Sequence, residues 1–416
     1  MSLSDPRLPA TEAGAKTLMR PWHFVVAFGF VSLLADMVYE GARSIIGPYL
    51  ATLGASATVV GVVAGAGEFI GYGLRVFTGY AVGRTRRYWT WTILGYALTV
   101  LSVPLIGITG VLTPALILYG TERLGKAVRS PAKDTLLSYA AAKTGRGSAF
   151  GVHQALDQTG ALLGPLLLAA ILSWHDGDYR LAFGILAVPG VVLLGMLIWL
   201  RSRVPDPRDY ETFADDPDPV PTPAATSIAR PGLPRTFWQY VATVAVLSAG
   251  VASFPLVAFH ALHQHLVADA TIPLLFAVAM AVDGLSGFLV GRLYDTYGPR
   301  VLLAVPVAAA LSAMAFTTNL VLLWVGVAIW GVVNGVLDST VKAVVSELVP
   351  SASRAPAFGW LALVRGLGLL VAGAALGVAY EQSPAWAIGL IVGINAIALV
   401  GLATILGRIK RQDSHH

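Results

Sequence analysis

The chain of 416 residues contains no cysteine. That excludes disulfides, thiolate metal sites and thiol catalysis, and it leaves the compartment open, because a helical bundle needs none of these. Charge is scarce too: Asp, Glu, Lys and Arg make up only 12% of the residues, against about 25% in soluble globular proteins. With 56% hydrophobic residues and a mean hydropathy of +0.70, the chain reads as a polytopic membrane protein. Also missing are a nucleophile–base constellation, a glycine-rich phosphate loop of the ATPase type and a soluble module. Neither an enzyme, nor an ATP-driven pump, nor a receptor is expected, and no cofactor is implied. The net charge of +5 forms no nucleic-acid patch. No n-region, h-region and cleavage-site pattern precedes the first apolar run, so residues 1–21 are expected to form a retained polar cytoplasmic tail.

What the chain does have is a series of apolar segments, each long enough to cross ~30 Å of hydrocarbon, which takes about 20 helical residues. They fall near 22–50, 57–82, 88–109, 113–141, 148–173, 180–200, 237–262, 272–293, 300–318, 320–349, 355–380 and 384–407. The fold expected is an all-α membrane protein of twelve transmembrane helices in two six-helix bundles, 22–200 and 237–407, followed by a basic tail at 408–416. Residues 201–236 are rich in Pro, Asp and Thr; such a composition buries no core and predicts a disordered linker. Basic residues gather in loops on one side, "RTRR" at 84–87, "KTGR" at 143–146, Arg292, Arg300, Arg354 and "RIKR" at 408–411, while Arg180 stands alone on the other. This asymmetry predicts that both termini and the linker are cytoplasmic.

The two halves echo each other. "SAFGVHQALDQTGALLGP" at 148–165 aligns, 208 residues on, with "PAFGWLALVRGLGLLVAG" at 356–373, setting Gly160 on Gly368 and Asp157 on Arg365. Internal repetition in a many-helix chain marks transporters whose halves rock around a central site.

The loop "GRLYDTYGPR" at 291–300 resembles the cytoplasmic signature G-x-L-x-D-R-x-G-R of the major facilitator superfamily, through Gly291, Leu293, Asp295 and Gly298. The matching loop of the first half, "GYAVGRTRR" at 79–87, keeps Gly79, Arg84 and Arg87 but has Gly83 where the family carries Asp. "GALLGP", with Gly160, Gly164 and Pro165, is similar to the fifth-helix motif of the family's antiporters, and "DMVYEGARSIIGPYL" and "GEFIGYGLR" resemble a subgroup of bacterial and archaeal permeases. The resemblance covers essentially the whole chain. It implies an integral protein of a bacterial or archaeal inner (plasma) membrane, a secondary transporter working by alternating access as a monomer, with a small-molecule substrate, protons and the lipid bilayer as its partners.

One span is unlike the rest. "TERLGKAVRSPAKD" at 121–134 packs six charges into fourteen residues, although each charge at mid-bilayer costs at least ~2.5–3.5 kcal/mol. Glu122, Lys126, Arg129 and Lys133 stand at helical spacing on one face, and Arg123, Ser130 and Asp134 share a second. A helix with two polar faces must look into the bundle, with Pro131 loosening its last turns. Local pairs such as Glu122 with Lys126 and Arg129 with Asp134 are one expectation, but they leave an excess of base that needs partners elsewhere.

On the first span Asp36, Glu40 and Arg43 line one face beside Tyr39. The resemblance implies that the first and fourth helices border the cavity and that a mid-membrane acid on the first helix binds the proton. Asp36 is the leading candidate, with Glu40, Arg123 and Asp157 completing the proton-coupling set. Tyr39, Arg43, Glu68, Tyr72, Glu122, Lys126, Arg129, Asp283, Asn334, Asp338, Trp360 and Arg365 are the candidate substrate-cavity residues. Expected pairs are Glu68 with Arg365 as a gate latch or with Arg75 within its bundle, Asp157 with Asp283 sharing a proton, and Asp338 with Lys342. His260 and His263, near Asp36 or Glu40, form a candidate divalent-metal site. The leading functional expectation is a proton-coupled exporter of a small amphipathic organic compound. The alternatives are an importer of a small organic-anion metabolite and a divalent-metal exporter.

Overall fold

The computed structural model describes residues 19–212, 233–350 and 353–413. Within them the chain is helical and contains no strand. The first bundle comprises α1 (Pro21–Thr52), α2 (Ala57–Thr85), α3 (Tyr88–Thr109), α4 (Leu112–Thr144), α5 (Arg146–Trp174) and α6 (Tyr179–Arg203). The second comprises α7 (Arg235–His263), α8 (Thr271–Tyr297), α9 (Gly298–Phe316), α10 (Leu320–Leu348), α11 (Arg354–Gln382) and α12 (Pro384–Asp413). Eleven of these are long and apolar enough to cross a bilayer. The other is α4, the charged one: its 33 residues give a length of about 50 Å, and its faces are covered by α3, α2, α1 and α5.

Glycines set how closely the helices approach. A methyl group at Gly160 of α5 would stand 2.1 Å from the Leu33 carbonyl oxygen of α1, and one at Gly368 of α11 would stand 2.5 Å from the Ala245 carbonyl oxygen of α7. The aligned glycines thus serve the same contact in each half, so the internal repeat read from sequence is a repeat of packing. Gly164 continues the seam, where a methyl group would stand 2.4 Å from the Met37 carbonyl oxygen.

Two helices are interrupted where they meet the centre. α2 breaks at Leu74, and α7 unwinds between Ala249 and Phe254. Carbonyls freed from a helix inside a membrane need other donors. Trp330 Nε1 donates to the Ala252 carbonyl at 2.7 Å and Asn395 Nδ2 to that of Gly250 at 2.8 Å.

The bundles close on each other at the end opposite the start of α1, here called the far end. A methyl at Gly47 would meet the Pro255 carbonyl at 2.1 Å, and one at Gly61 the Gly373 carbonyl at 2.2 Å. The region after α6 departs from the expected disordered linker: Val204 is buried and its carbonyl accepts from Trp89 Nε1 at 2.9 Å. Tyr210 is also buried and donates to the Met19 carbonyl at 2.8 Å. Aromatic area outweighs the polar composition over 204–212, and this segment is docked on the first bundle. Residues 1–18, 213–232 and 414–416, which hold most of the expected tails and linker, lie outside the described residues.

Candidate functional site

Between the bundles lies a cavity of about 1000 Å³, lined from both halves. Its deepest part is bounded by Arg43, Gly65, Leu369 and the unwound stretch of α7, and its mouth by Asp134, Gly151 and Lys342. Asp134, Gln154, Asp338 and Lys342 are solvent-exposed, so water enters from the near end, where α1 starts, while the glycine contacts seal the far end.

An ion-pair network holds the wall of the first bundle. Glu68 bridges Arg43 at 3.2 Å and Arg123 at 3.5 Å. Arg123 also pairs with Glu122 at 2.7 Å, Arg43 with Glu40 at 3.4 Å, and Glu40 reaches Lys126 at 3.9 Å. Buried charges need such partners, since removing one member strands the other in a low dielectric. The network ties α1, α2 and α4 together.

Beside it stands a group of a different kind. Arg129 is 3% exposed and lies between two tyrosine faces, 4.4 Å from the Tyr96 ring centre and 5.0 Å from that of Tyr39. Lys126 approaches the same Tyr39 ring at 4.4 Å. Lys133, one turn below Arg129, meets His153 Nε2 at 3.2 Å, and that nitrogen also lies 3.2 Å from Ser32 Oγ. Among the described residues no carboxylate oxygen lies within 4.0 Å of Arg129 or Lys133. Asp36 is buried on the same wall, beside Tyr39, and has Asp157, Glu40 and Lys133 as its charged neighbours.

Several expected partnerships are replaced. Glu68 pairs with neither Arg365 nor Arg75; Arg365 pairs instead with Asp338 at 2.6 Å, across α10 and α11. That takes Asp338 from Lys342. Glu122 turns to Arg123 rather than Lys126, because Lys126 is drawn toward Glu40 of α1. Asp157 neighbours Asp36, whereas the charged groups around Asp283 are Asp338, Glu40, Arg43 and Arg365. Of the candidate cavity residues, Tyr39, Arg43, Glu68, Tyr72, Lys126, Arg129, Asp283, Asn334, Asp338 and Arg365 line the cavity, together with Asp36, Glu40 and Asp157. Glu122 and Arg123 lie behind its wall, buried within the bundle. Trp360 also stands off the wall, packed edge-on against Trp238 with ring centres 5.4 Å apart.

The histidine metal site is not formed. His260 spends both ring nitrogens on the Tyr380 hydroxyl at 2.9 Å and the Thr317 carbonyl at 3.2 Å, and His263 stacks on Phe259. The motif residues are dispersed: a methyl group at Gly79 would meet Pro131 at 3.8 Å, Arg84 is exposed, Gly291 has open space, Pro165 sits within α5 and Gly298 ends α8 with φ of +64°. The Asp295 side chain lies outside the described set. Tyr96 was not among the candidates read from sequence. A tyrosine in apolar α3 is a weak signal, and its role follows from Gly95, which lets α3 approach α4 until a methyl there would be 2.6 Å from Arg129 Cβ.

Helical bundles around a central, one-ended polar cavity define the architecture of a membrane carrier. The Major Facilitator Superfamily profile matches residues 28–373 and 241–415, and the chain belongs to this superfamily. It is 45% identical over 386 residues to the uncharacterized protein Mb2288 of Mycobacterium bovis, covering 92% of this chain and 93% of that one. It is 24% identical over 371 residues to the uncharacterized MFS-type transporter MJ1317 of Methanocaldococcus jannaschii, covering 86% and 89%. Among solved structures, the nucleoside transporter NupG superposes with a TM-score of 0.69 at 15% identity, covering 93% of this chain and 99% of that one. The protein is thus a secondary transporter of the superfamily.

Proposed function

We propose that this protein is a proton-coupled transporter of a small amphipathic organic compound, with Asp36 and Asp157 as its proton site. The observation that supports this is their placement: two carboxylates on facing helices line the cavity, and among the described residues neither has a cation within ion-pair distance. Glu40, Glu68 and Asp338, by contrast, are committed to bases. Carboxylates left without a base in a half-dry cavity are the groups whose protonation responds most to what enters beside them.

The charge of the cargo then fixes the sign of coupling. A neutral or cationic group that contacts Asp36 and Asp157 competes with the proton, which is exchange and drives export; this is the direction the "GALLGP" resemblance implies. An anion resting on Arg129 and Lys133 removes the cationic field next to the same carboxylates and brings a proton with it, which is co-transport and drives import. That neither Arg129 nor Lys133 has a carboxylate within ion-pair distance among the described residues favours this second reading. The basic loops support the cytoplasm as the near side.

Reconstitution tests the reading. In proteoliposomes carrying a pH-sensitive dye, organic cations, neutral compounds and organic anions are each applied across a pH gradient. A cargo-dependent proton flux is expected, outward-in against a leaving cargo for exchange and with an entering cargo for co-transport. Asp36→Asn should abolish uphill transport and retain cargo exchange, because the amide mimics the protonated acid. Uphill transport at full rate in that variant removes Asp36 from the proton site.

A further inference from the structure

We propose that Arg129 and Lys133 form the seat for a single anionic group, carboxylate, phosphate or sulfonate, on the cargo, with Tyr39 and Tyr96 as the clamp that holds the guanidinium ready. The inference rests on the co-transport reading above and names the recognising groups.

Three observations meet at this place. First, Arg43 is neutralised by Glu40 and Glu68, Arg123 by Glu68 and Glu122, and Arg365 by Asp338; Arg75, which also lines the cavity without an ion pair among the described residues, is only half-buried. Arg129 is buried and has no carboxylate within ion-pair distance among the described residues. A guanidinium cannot shed its charge, so its partner in the loaded state has to come from the cavity it lines. Second, the tyrosine rings stabilise the cation by their faces without using its in-plane donors, which leaves the fork free for two parallel bonds to an oxyanion. Third, Lys133 lies four residues on, on the same face of α4 and also on the cavity wall. Its contact is an imidazole nitrogen rather than an acid. A planar fork and a mobile ammonium one turn apart match one oxyanion between them.

The charges that oppose the seat are Asp36 and Asp157, which act on Arg129, and Asp134, which acts with Asp157 on Lys133; all three are beyond ion-pair distance. Whether the cations or these acids set the local field is therefore the question the experiment must answer.

Ser130 lines the cavity between the two bases, and the chain has no native cysteine. Ser130→Cys places one thiol beside the seat. Its labelling rate is measured in detergent micelles with two reagents of similar size, the sulfonate MTSES and the trimethylammonium MTSET, and compared with free thiol. A unit charge about 6 Å away in a water-like dielectric changes each rate about threefold, so the ratio of anion to cation reactivity should exceed that of free thiol by about tenfold. Adding Arg129→Gln should remove most of this preference, and adding Lys133→Gln should remove part. If Arg129→Gln does not give monodisperse protein, Arg129→Lys is read instead, where the charge stays and the preference should persist in reduced form. Faster labelling by the cationic reagent, or a ratio that the Arg129 and Lys133 changes leave intact, overturns the seat. Failure of the proton reading is seen separately: a Ser130→Cys protein whose thiol keeps the anion preference, but which shows no cargo-dependent proton flux in proteoliposomes, keeps the seat and loses the coupling.

Discussion

Replacing Glu68 by Gln should destabilise the protein more than any other single carboxylate-to-amide change in the cavity. Glu68 holds two guanidiniums, Arg43 at 3.2 Å and Arg123 at 3.5 Å. At an effective dielectric of about 20 each contact is worth about 5 kcal/mol of Coulomb energy. Desolvation of the three ions offsets most of that, and removing one member of a buried pair costs about 3–5 kcal/mol in practice. The lower end applies here, because Arg43 keeps Glu40 and Arg123 keeps Glu122. If one six-helix bundle is the unit that unfolds, about 3 kcal/mol lowers the thermal midpoint by about 6–12 °C. The assay is a melting curve of purified protein in detergent, by intrinsic fluorescence, with Asp283→Asn as the comparison, since Asp283 makes no ion pair among the described residues. A Glu68→Gln midpoint within about 2 °C of the parent would refute the idea that this network holds α1, α2 and α4 together.

Arg123→Ala should lose active transport and fall in yield, because Glu68 and Glu122 are left facing each other inside the bundle; Arg123→Lys should recover part of both, keeping the charge but not the fork that spans two carboxylates. Binding of an anionic cargo should tighten as the pH falls, since a proton on Asp36 or Asp157 removes negative charge from around Arg129. The charged and titratable groups that face Asp36 are Asp157 of α5, Tyr39 and Glu40 of α1 and Lys133 of α4. In Asp36→Asn the pH dependence measured by equilibrium binding should flatten, and an unchanged slope would point to another proton acceptor.

The all-helical membrane fold and eleven of its spans were legible because crossing a bilayer demands long apolar runs, and a run is a property of consecutive residues. The inward aspect of α4 was legible for the same reason: spacing alone puts Glu122, Lys126, Arg129 and Lys133 on one face. Partner choice was not. Lys126 meets Glu40 rather than Glu122, and Arg365 meets Asp338 rather than Glu68, because these outcomes depend on how closely two helices approach and how each is rotated. Those distances are fixed by glycines such as Gly95 and Gly160, whose contacts lie far away in sequence. Trp360 reads as a cavity aromatic by depth, yet one rotation puts it against Trp238. The docked stretch 204–212 was hidden by its composition, where a single tyrosine outweighs the surrounding prolines and aspartates.

The far-end seal leads to the last prediction. Alternating access requires this seal to open, so its strength has to be modest. Its glycine contacts, Gly47 on Pro255 and Gly61 on Gly373, supply close packing without directional bonds. Two polar contacts between the bundles sit at its rim: the Thr58 amide donates to Glu381 Oε1 at 3.0 Å, and the Tyr179 hydroxyl donates to Asp269. A hydrogen bond of this kind contributes about 1 kcal/mol, so losing one shifts the balance between near-open and far-open forms about fivefold, and losing both about thirtyfold if they act independently. Glu381→Ala, which removes the acceptor of the Thr58 amide, and Tyr179→Phe, singly and together, are introduced beside Ser130→Cys, and intact cells are treated with the impermeant sulfonate reagent. Labelling of the introduced thiol from outside reports the far-open form, because the seal lies between that thiol and the exterior when the near end faces the cytoplasm. Each variant should raise the external labelling rate, the double variant most, while labelling of inverted vesicles falls or stays level. If the external rate does not change in the double variant, these two bonds do not hold the seal, and the glycine contacts alone set the balance.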